Sequence, residues 1–365
     1  MTSFQDGIFI PMKNLIFLLL LSVTTYAQTP GYKSWNPAAG DVYALEGQGW
    51  KNGETFYDRL PASAKQTVRK EVWGLSKNSA GMQLHFVTNA RELQIRYGVA
   101  GSYEMRHMPA TGVSGVDLYF RGENNAMQRL RPVYSFGDTV KYVYSHLETA
   151  ARYHYTLYLP LYNSVKWMEI SVPEDSYFEP LPVRQKPIVV YGTSIAQGGC
   201  ASRPGLGWTN ILSRMTDKPL INLAFSGNGK MEPELVDLLA ELDASLFIID
   251  CLPNLAVGTD LSAKVNYVVS TLQRKRPGVP ILFADHCGTP VANDDGGNEK
   301  IRTLNRQQKS IVDSLIQKGK KNLYYLTQNE IGLTEDDVVD FIHPNDIGMM
   351  RYAEAYYRRI MEIMD

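Results

Sequence analysis

Ser194 follows an apolar run in Tyr191-Gly192-Thr193-Ser194, and far downstream Asp340 and His343 stand three residues apart in Asp340-Phe341-Ile342-His343-Pro344. A serine hydroxyl is a weak nucleophile near neutral pH. It needs an imidazole to take its proton and a carboxylate to hold that imidazole in one tautomer. The order Ser194, Asp340, His343 therefore suggests a hydrolase triad. Asp and His at this spacing can meet in a short loop, and Pro344 can open a following helix because its missing N–H is no loss in the first turn.

These residues need elements to bring them together. From Pro187 onward, apolar runs at 188–191, 220–223, 246–250, 281–284 and 323–326 alternate with helical stretches. Near-continuous apolar strands mean burial on both faces, as in a parallel sheet with helices on each side. Leu235, Leu238, Leu239 and Leu242 fall at helical spacing after Pro233, and Asp260 reads as the N-cap of the next helix, which ends before Pro277. In such a sheet the loops at the carboxyl ends of the strands carry the site. Ser194 follows the first strand, Ser226-Gly227-Asn228-Gly229 the second, Leu252-Pro253-Asn254 the third, and Asp340 and His343 come after the fifth. A glycine N–H and an asparagine amide are the kind of donors that an oxyanion requires.

Upstream the pattern differs. Runs at 82–87, 93–97, 116–120 and 155–159 alternate apolar or aromatic residues with polar ones, between Gly, Pro and Asn punctuation. Period-two alternation of this kind predicts strands with one buried face, hence an antiparallel β-sandwich. The proline- and charge-rich segment 174–186 reads as a linker.

In this order and spacing the blocks resemble the SGNH (GDSL-type) hydrolase family, whose four blocks supply a serine, a glycine, an asparagine and a histidine. The resemblance implies Ser194 as nucleophile, the N–H groups of Ser194 and Gly227 and the Asn254 amide as the oxyanion hole, and Asp340 and His343 as the rest of the triad. Thr193 and Ile195 replace the Asp and Leu of the usual Gly-Asp-Ser-Leu block, and Asn254 lies in Cys-Leu-Pro-Asn instead of Gly-x-Asn-Asp. Gly115-Val116-Asp117-Leu118-Tyr119 resembles the Gly-x-Asp-Leu-Tyr signature of the β-domain that precedes one bacterial branch of the family. The expected architecture is a three-layer α/β/α hydrolase domain with a five-stranded parallel sheet at 184–365, preceded by a jelly-roll-like antiparallel β-sandwich at 28–183. The implied activity is removal of a small acyl group, acetyl foremost, from a carbohydrate or other small ester, without a cofactor. The same groups would serve a lipid-directed esterase, lysophospholipase or thioesterase, and a glycan-binding protein without catalysis is the non-enzyme alternative.

Lys+Arg 37 against Asp+Glu 38 leaves a net charge of -1, which removes the main electrostatic reason to expect nucleic acid as a partner. Residues 13–27 run from a lysine through a short apolar stretch to small residues, which predicts a secretory signal peptide at 1–27, export to the periplasm or exterior, and no stable membrane insertion after cleavage. Met12 would make a more usual start than Met1. Cys200, Cys251 and Cys287 leave at least one thiol unpaired; a Cys200–Cys251 bridge and buried free thiols are both open. Arg203, Trp208 and Asn228 are near the site in sequence and could touch substrate or simply pack. His286 also follows a strand, but the adjacent Asp285 points the other way along an extended segment and is poorly placed to orient it. His85, His107, His146 and His154 show no metal-ligand spacing, so no metal is expected.

Overall fold

Five strands after residue 187 are apolar on both faces because both faces are covered. Ile188–Gly192, Leu220–Ala224, Leu246–Asp250, Ile281–Ala284 and Leu323–Leu326 form one parallel sheet in the spatial order second, first, third, fourth, fifth. Alternate side chains go to opposite layers. Val189, Tyr191, Phe247 and Phe283 pack with Val236, Leu239, Val265 and Val269 from helices Pro233–Leu239 and Leu261–Lys275. Val190, Ile248 and Leu282 pack on the other face with Leu212 of helix Trp208–Thr216 and with Tyr352 and Tyr356 of helix Asp346–Met364. The expected three-layer architecture is present. The strand order reverses direction at Ile188–Gly192, so the crevice that favours ligands opens at the carboxyl end of that strand, where Ser194 follows.

The computed structural model describes residues 31–122, 126–148, 153–288, 293 and 296–364. The leader expected at 1–27 lies outside the described residues. Asp260 caps helix Leu261–Lys275 by accepting the Ala263 N–H at 2.9 Å. The helix that opens at Pro233 stops at Leu239, one turn short of Leu242.

Residues 32–180 form two antiparallel sheets, one of five strands and one of six, around a core that includes Leu84, Phe86, Ile95, Leu118, Tyr142 and Leu157. Within the segment read as a linker, Phe178–Pro180 is a short edge strand on Gln83–Thr88. An edge tolerates proline because the missing N–H faces away from the ladder. Helices Lys70–Leu75 and Ala110–Val113 also lie in this half, where only strands were expected.

The sandwich and the parallel-sheet layer belong to one compact unit, Tyr32–Asp365, and two buried ionic groups tie them. Arg59, 1% exposed, donates to the carbonyls of Asn78, Leu75, Asn222 and Ala224, the last two on the second strand of the parallel sheet. Asp117, also 1% exposed, accepts from Arg129 Nε at 2.9 Å, Arg203 Nη1 at 2.8 Å and the Gly205 N–H at 2.9 Å. The Gly-x-Asp-Leu-Tyr block thus has a physical role. Its aspartate holds the segment that follows the Ser194 helix, its leucine enters the sandwich core, and its tyrosine hydroxyl accepts from Arg203 at 2.7 Å.

Candidate active site

Ser194 opens the short helix Ser194–Gln197, with Thr193 extended before it. Its Oγ lies 2.8 Å from Nε2 of His343, and Nδ1 of His343 lies 2.8 Å from Oδ2 and 3.0 Å from Oδ1 of Asp340. With Nδ1–H donating to the carboxylate, Nε2 carries the lone pair that accepts the serine O–H, the tautomer a general base needs.

Asp340 and His343 share a small hairpin. Val338 and Pro344 pair as an antiparallel bridge, the Val339 N–H donates to the His343 carbonyl at 2.9 Å, and Phe341 takes a left-handed φ of 61° between them. Asp340 Oδ1 also accepts the backbone N–H groups of His343 at 2.8 Å and Ile342 at 3.2 Å. Burial would raise the Asp340 carboxyl, but the backbone N–H and imidazole of His343, helped by the Ile342 N–H, hold it below its ordinary value. Pro344 closes this hairpin and does not start the helix. Asn345 caps the helix by accepting the N–H groups of Ile347 and Gly348, each at 3.0 Å.

The candidate oxyanion donors lie on the neighbouring loops. Gly227 is exposed at φ 69°, a left-handed position suited to glycine, and its N–H donates to no backbone group among the described residues. The Ser194 N–H, in the first turn of its helix, has no intrahelical acceptor. Asn254 ends the turn Leu252–Asn254, and its Oδ1 accepts the Gly229 N–H at 3.0 Å. With the oxygen turned to Gly229, the amide N–H₂ of Asn254 faces the other way.

Several residues that shape the site were not visible in the sequence. The Tyr162 hydroxyl, from the sandwich half, donates to the Ser194 carbonyl at 3.0 Å; burial pushes this phenol up, so it stays protonated. Gln197 Oε1 accepts the Ser226 N–H at 3.0 Å and joins the first two site loops. Gly199 packs so closely that a Cβ there would lie 3.0 Å from Cδ2 of His343, from the Ser194 carbonyl and from the Tyr162 hydroxyl. The imidazole of His107, from the sandwich, lies against that of His343 with ring centroids 5.7 Å apart.

The three suggested substrate contacts are each engaged within the protein. Trp208 is fully buried and stacks on Tyr356 at 4.4 Å, on the helix face that meets Asp346–Met364. The Arg203 guanidinium is engaged by Asp117 and Tyr119. Asn228 spends its amide on the loop, accepting from Arg69 Nη1 at 2.7 Å and donating to the Ser226 carbonyl at 2.8 Å. His286 is buried, which pushes its imidazole down to about 4, and its Nδ1 accepts the Gly288 N–H; Asp285 turns instead to the Tyr325 hydroxyl and the Gln328 N–H. All three cysteines are buried free thiols.

The model of the GDSL-like lipase/acylhydrolase family matches residues 185–361, and that of the N-terminus of SGNH-hydrolase-type esterases matches residues 32–178. A crystal structure from Bacteroides ovatus ATCC 8483, named for its likeness to GDSL-like lipases, is 30% identical over 92% of this chain and 98% of that chain, with a TM-score of 0.84. The chain belongs to the SGNH (GDSL-like) hydrolase family. Two further solved structures align over similar lengths. The salicylyl-acyltransferase SsfX3 is 19% identical over 91% of this chain and 98% of that one at a TM-score of 0.73. A family two carbohydrate esterase from Cellvibrio japonicus is 12% identical over 92% and 98% at a TM-score of 0.54. At those identities the likeness is one of fold. No curated protein matches the chain. Among the described residues no helix is long and apolar enough to cross a membrane.

Proposed function

We propose that this SGNH hydrolase is an exported serine esterase that removes small acyl groups, acetyl foremost, from carbohydrate esters. The observation that carries the chemistry is the Ser194–His343–Asp340 relay, with hydrogen bonds of 2.8 Å on both sides of the imidazole. Ser194 Oγ attacks the ester carbonyl as His343 Nε2 takes its proton. The N–H groups of Ser194 and Gly227 and the Asn254 amide hold the oxyanion. His343 then returns the proton to the leaving alcohol, and water repeats the path to release the acid. The leader expected at 1–27 and the fold shared with carbohydrate esterases support export and the carbohydrate.

One observation favours a second reading. Val339, Phe341, Ile342, Ile347 and Met350 are exposed apolar side chains on the His343 hairpin and the first turns of the following helix. A rim of this kind suits an ester with an apolar portion, as a lipid-directed esterase would take. A chain-length series of nitrophenyl esters separates the two. The carbohydrate reading expects a sharp fall in kcat/KM beyond propionyl, and a preference for octanoyl would transfer the assignment to lipid esters.

A further inference from the structure

Three side chains able to ligate a metal come from three separate segments and meet beside the nucleophile. His107 belongs to the sandwich loop before helix Ala110–Val113, Cys200 to the turn after Ser194–Gln197, and His343 to the Asp340 hairpin. One ligand atom from each lies within 4.8 Å of the other two. Imidazole nitrogen with thiolate sulfur is a donor set for zinc and other borderline cations. Bonds of about 2.1 Å to nitrogen and 2.3 Å to sulfur in a tetrahedron put ligand atoms about 3.4–3.6 Å apart, so closing the site needs shifts of about 1 Å. His107 is exposed on the rim and can supply that movement. Cys200 is held at φ 70°, a left-handed conformation that is costly for a side chain other than glycine, asparagine or aspartate. Its thiol is pushed up to about 12 by burial and then by the charge of Asp340. The negative field that opposes a thiolate also attracts a dication, and the metal–sulfur bond displaces the thiol proton.

We propose that zinc, or another divalent cation of the same preference, binds His107, Cys200 and His343 and holds the hydrolase inactive. Nδ1 of His343 is committed to Asp340, so the nitrogen left to the cation is Nε2, the atom that Ser194 uses. On binding, the Nε2 lone pair bonds to the cation, Cys200 releases its proton to solvent and ligates as thiolate, and the Ser194 hydroxyl loses its base. Chelation reverses each step. The spectroscopic part of the test needs no substrate, so its failure is distinguishable from failure of the esterase assignment.

Chelator-treated protein is titrated with cobalt(II) and then with zinc. Wild type and Ser194→Ala should show a thiolate-to-cobalt charge-transfer band with tetrahedral d–d absorption, both removed by zinc. Cys200→Ser should hydrolyse nitrophenyl acetate like wild type in the absence of metal, lose the charge-transfer band, and need at least about tenfold more zinc for half inhibition. His107→Ala should raise the inhibitory zinc concentration in the same direction. Equal zinc sensitivity in wild type, Cys200→Ser and His107→Ala, or a cobalt spectrum without the thiolate band in wild type, overturns the proposal.

Discussion

Gly199→Ala places one methyl group against the imidazole of His343. The new Cβ would lie 3.0 Å from Cδ2 of His343, from the Ser194 carbonyl oxygen and from the Tyr162 hydroxyl. Carbon atoms in contact settle about 3.5–4.0 Å apart, so the ring is overlapped by about 0.5 Å. The carbonyl and the phenol are bonded to each other at 3.0 Å, whereas the His343 hairpin carries Phe341 and Ile342 in solvent and is the part that can give. A ring displaced by about 0.5 Å leaves its 2.8 Å alignment with Ser194 Oγ. If a misplacement of about 1 Å costs about 10²-fold, half of it costs about tenfold, and the loss should appear in kcat with KM little changed. Stability should move less. Gly199 is outside the positive-φ region, so alanine also restricts the unfolded chain, which is worth about 0.4–1 kcal/mol and offsets part of the crowding. Steady-state kinetics on nitrophenyl acetate, paired with a thermal melt, measure both. A variant with wild-type kcat and an unchanged melt would refute the packing of Gly199 against the imidazole.

Asp117→Asn removes the charge that Arg203 and Arg129 share, and chemical denaturation should register a loss of about 2–3 kcal/mol, less than for a fully buried pair because Arg129 is 41% exposed. A loss below about 0.5 kcal/mol, the range of an ordinary surface substitution, would remove that aspartate from the tie between the two halves. Asp250 ends the third strand fully buried, and burial pushes its carboxyl from 3.8 up to about 7 despite the Tyr356 hydroxyl bond. Across that window the unfolded group is ionised while the folded one keeps its proton, so the native state binds more protons and stability falls as pH rises. From pH 5 to pH 8 this amounts to a loss on the order of 2–3 kcal/mol, which Asp250→Asn should abolish. Urea melts of both proteins at the two pH values check it; a difference between them that does not change with pH would count against a protonated Asp250.

The parts of the site legible from sequence were those whose chemistry restricts residue type. Ser194, Asp340 and His343 stood out because few side chains can act as nucleophile, orienter and base, and the loops after apolar strands share one edge of a parallel sheet. Tyr162, Gly199 and His107 were not legible, because each matters through a contact with a distant segment and none has a spacing that announces it. Spacing among the histidines of the sandwich forms no ligand set, whereas His107 meets Cys200 and His343 across the fold. Nearness in sequence misled for Trp208. Its helix turns the indole into the core, and the signal that could have shown this is the aromatic i, i+4 pair Tyr352 and Tyr356, which leaves an apolar stripe in need of a partner. The engagement of Arg203 depends on the sandwich bringing Asp117 Oδ2 within 2.8 Å of its guanidinium, a contact between segments far apart in sequence.

The central claim is that the Ser194 oxygen becomes acylated because His343 takes its proton. A nitrophenyl phosphonate, which esterifies an activated serine irreversibly, followed by peptide mass analysis, measures this directly. The account predicts one adduct per chain on the peptide containing Ser194, none in Ser194→Ala, and a much slower reaction in His343→Ala. Modification at another residue, or full ester hydrolysis by Ser194→Ala, would contradict it.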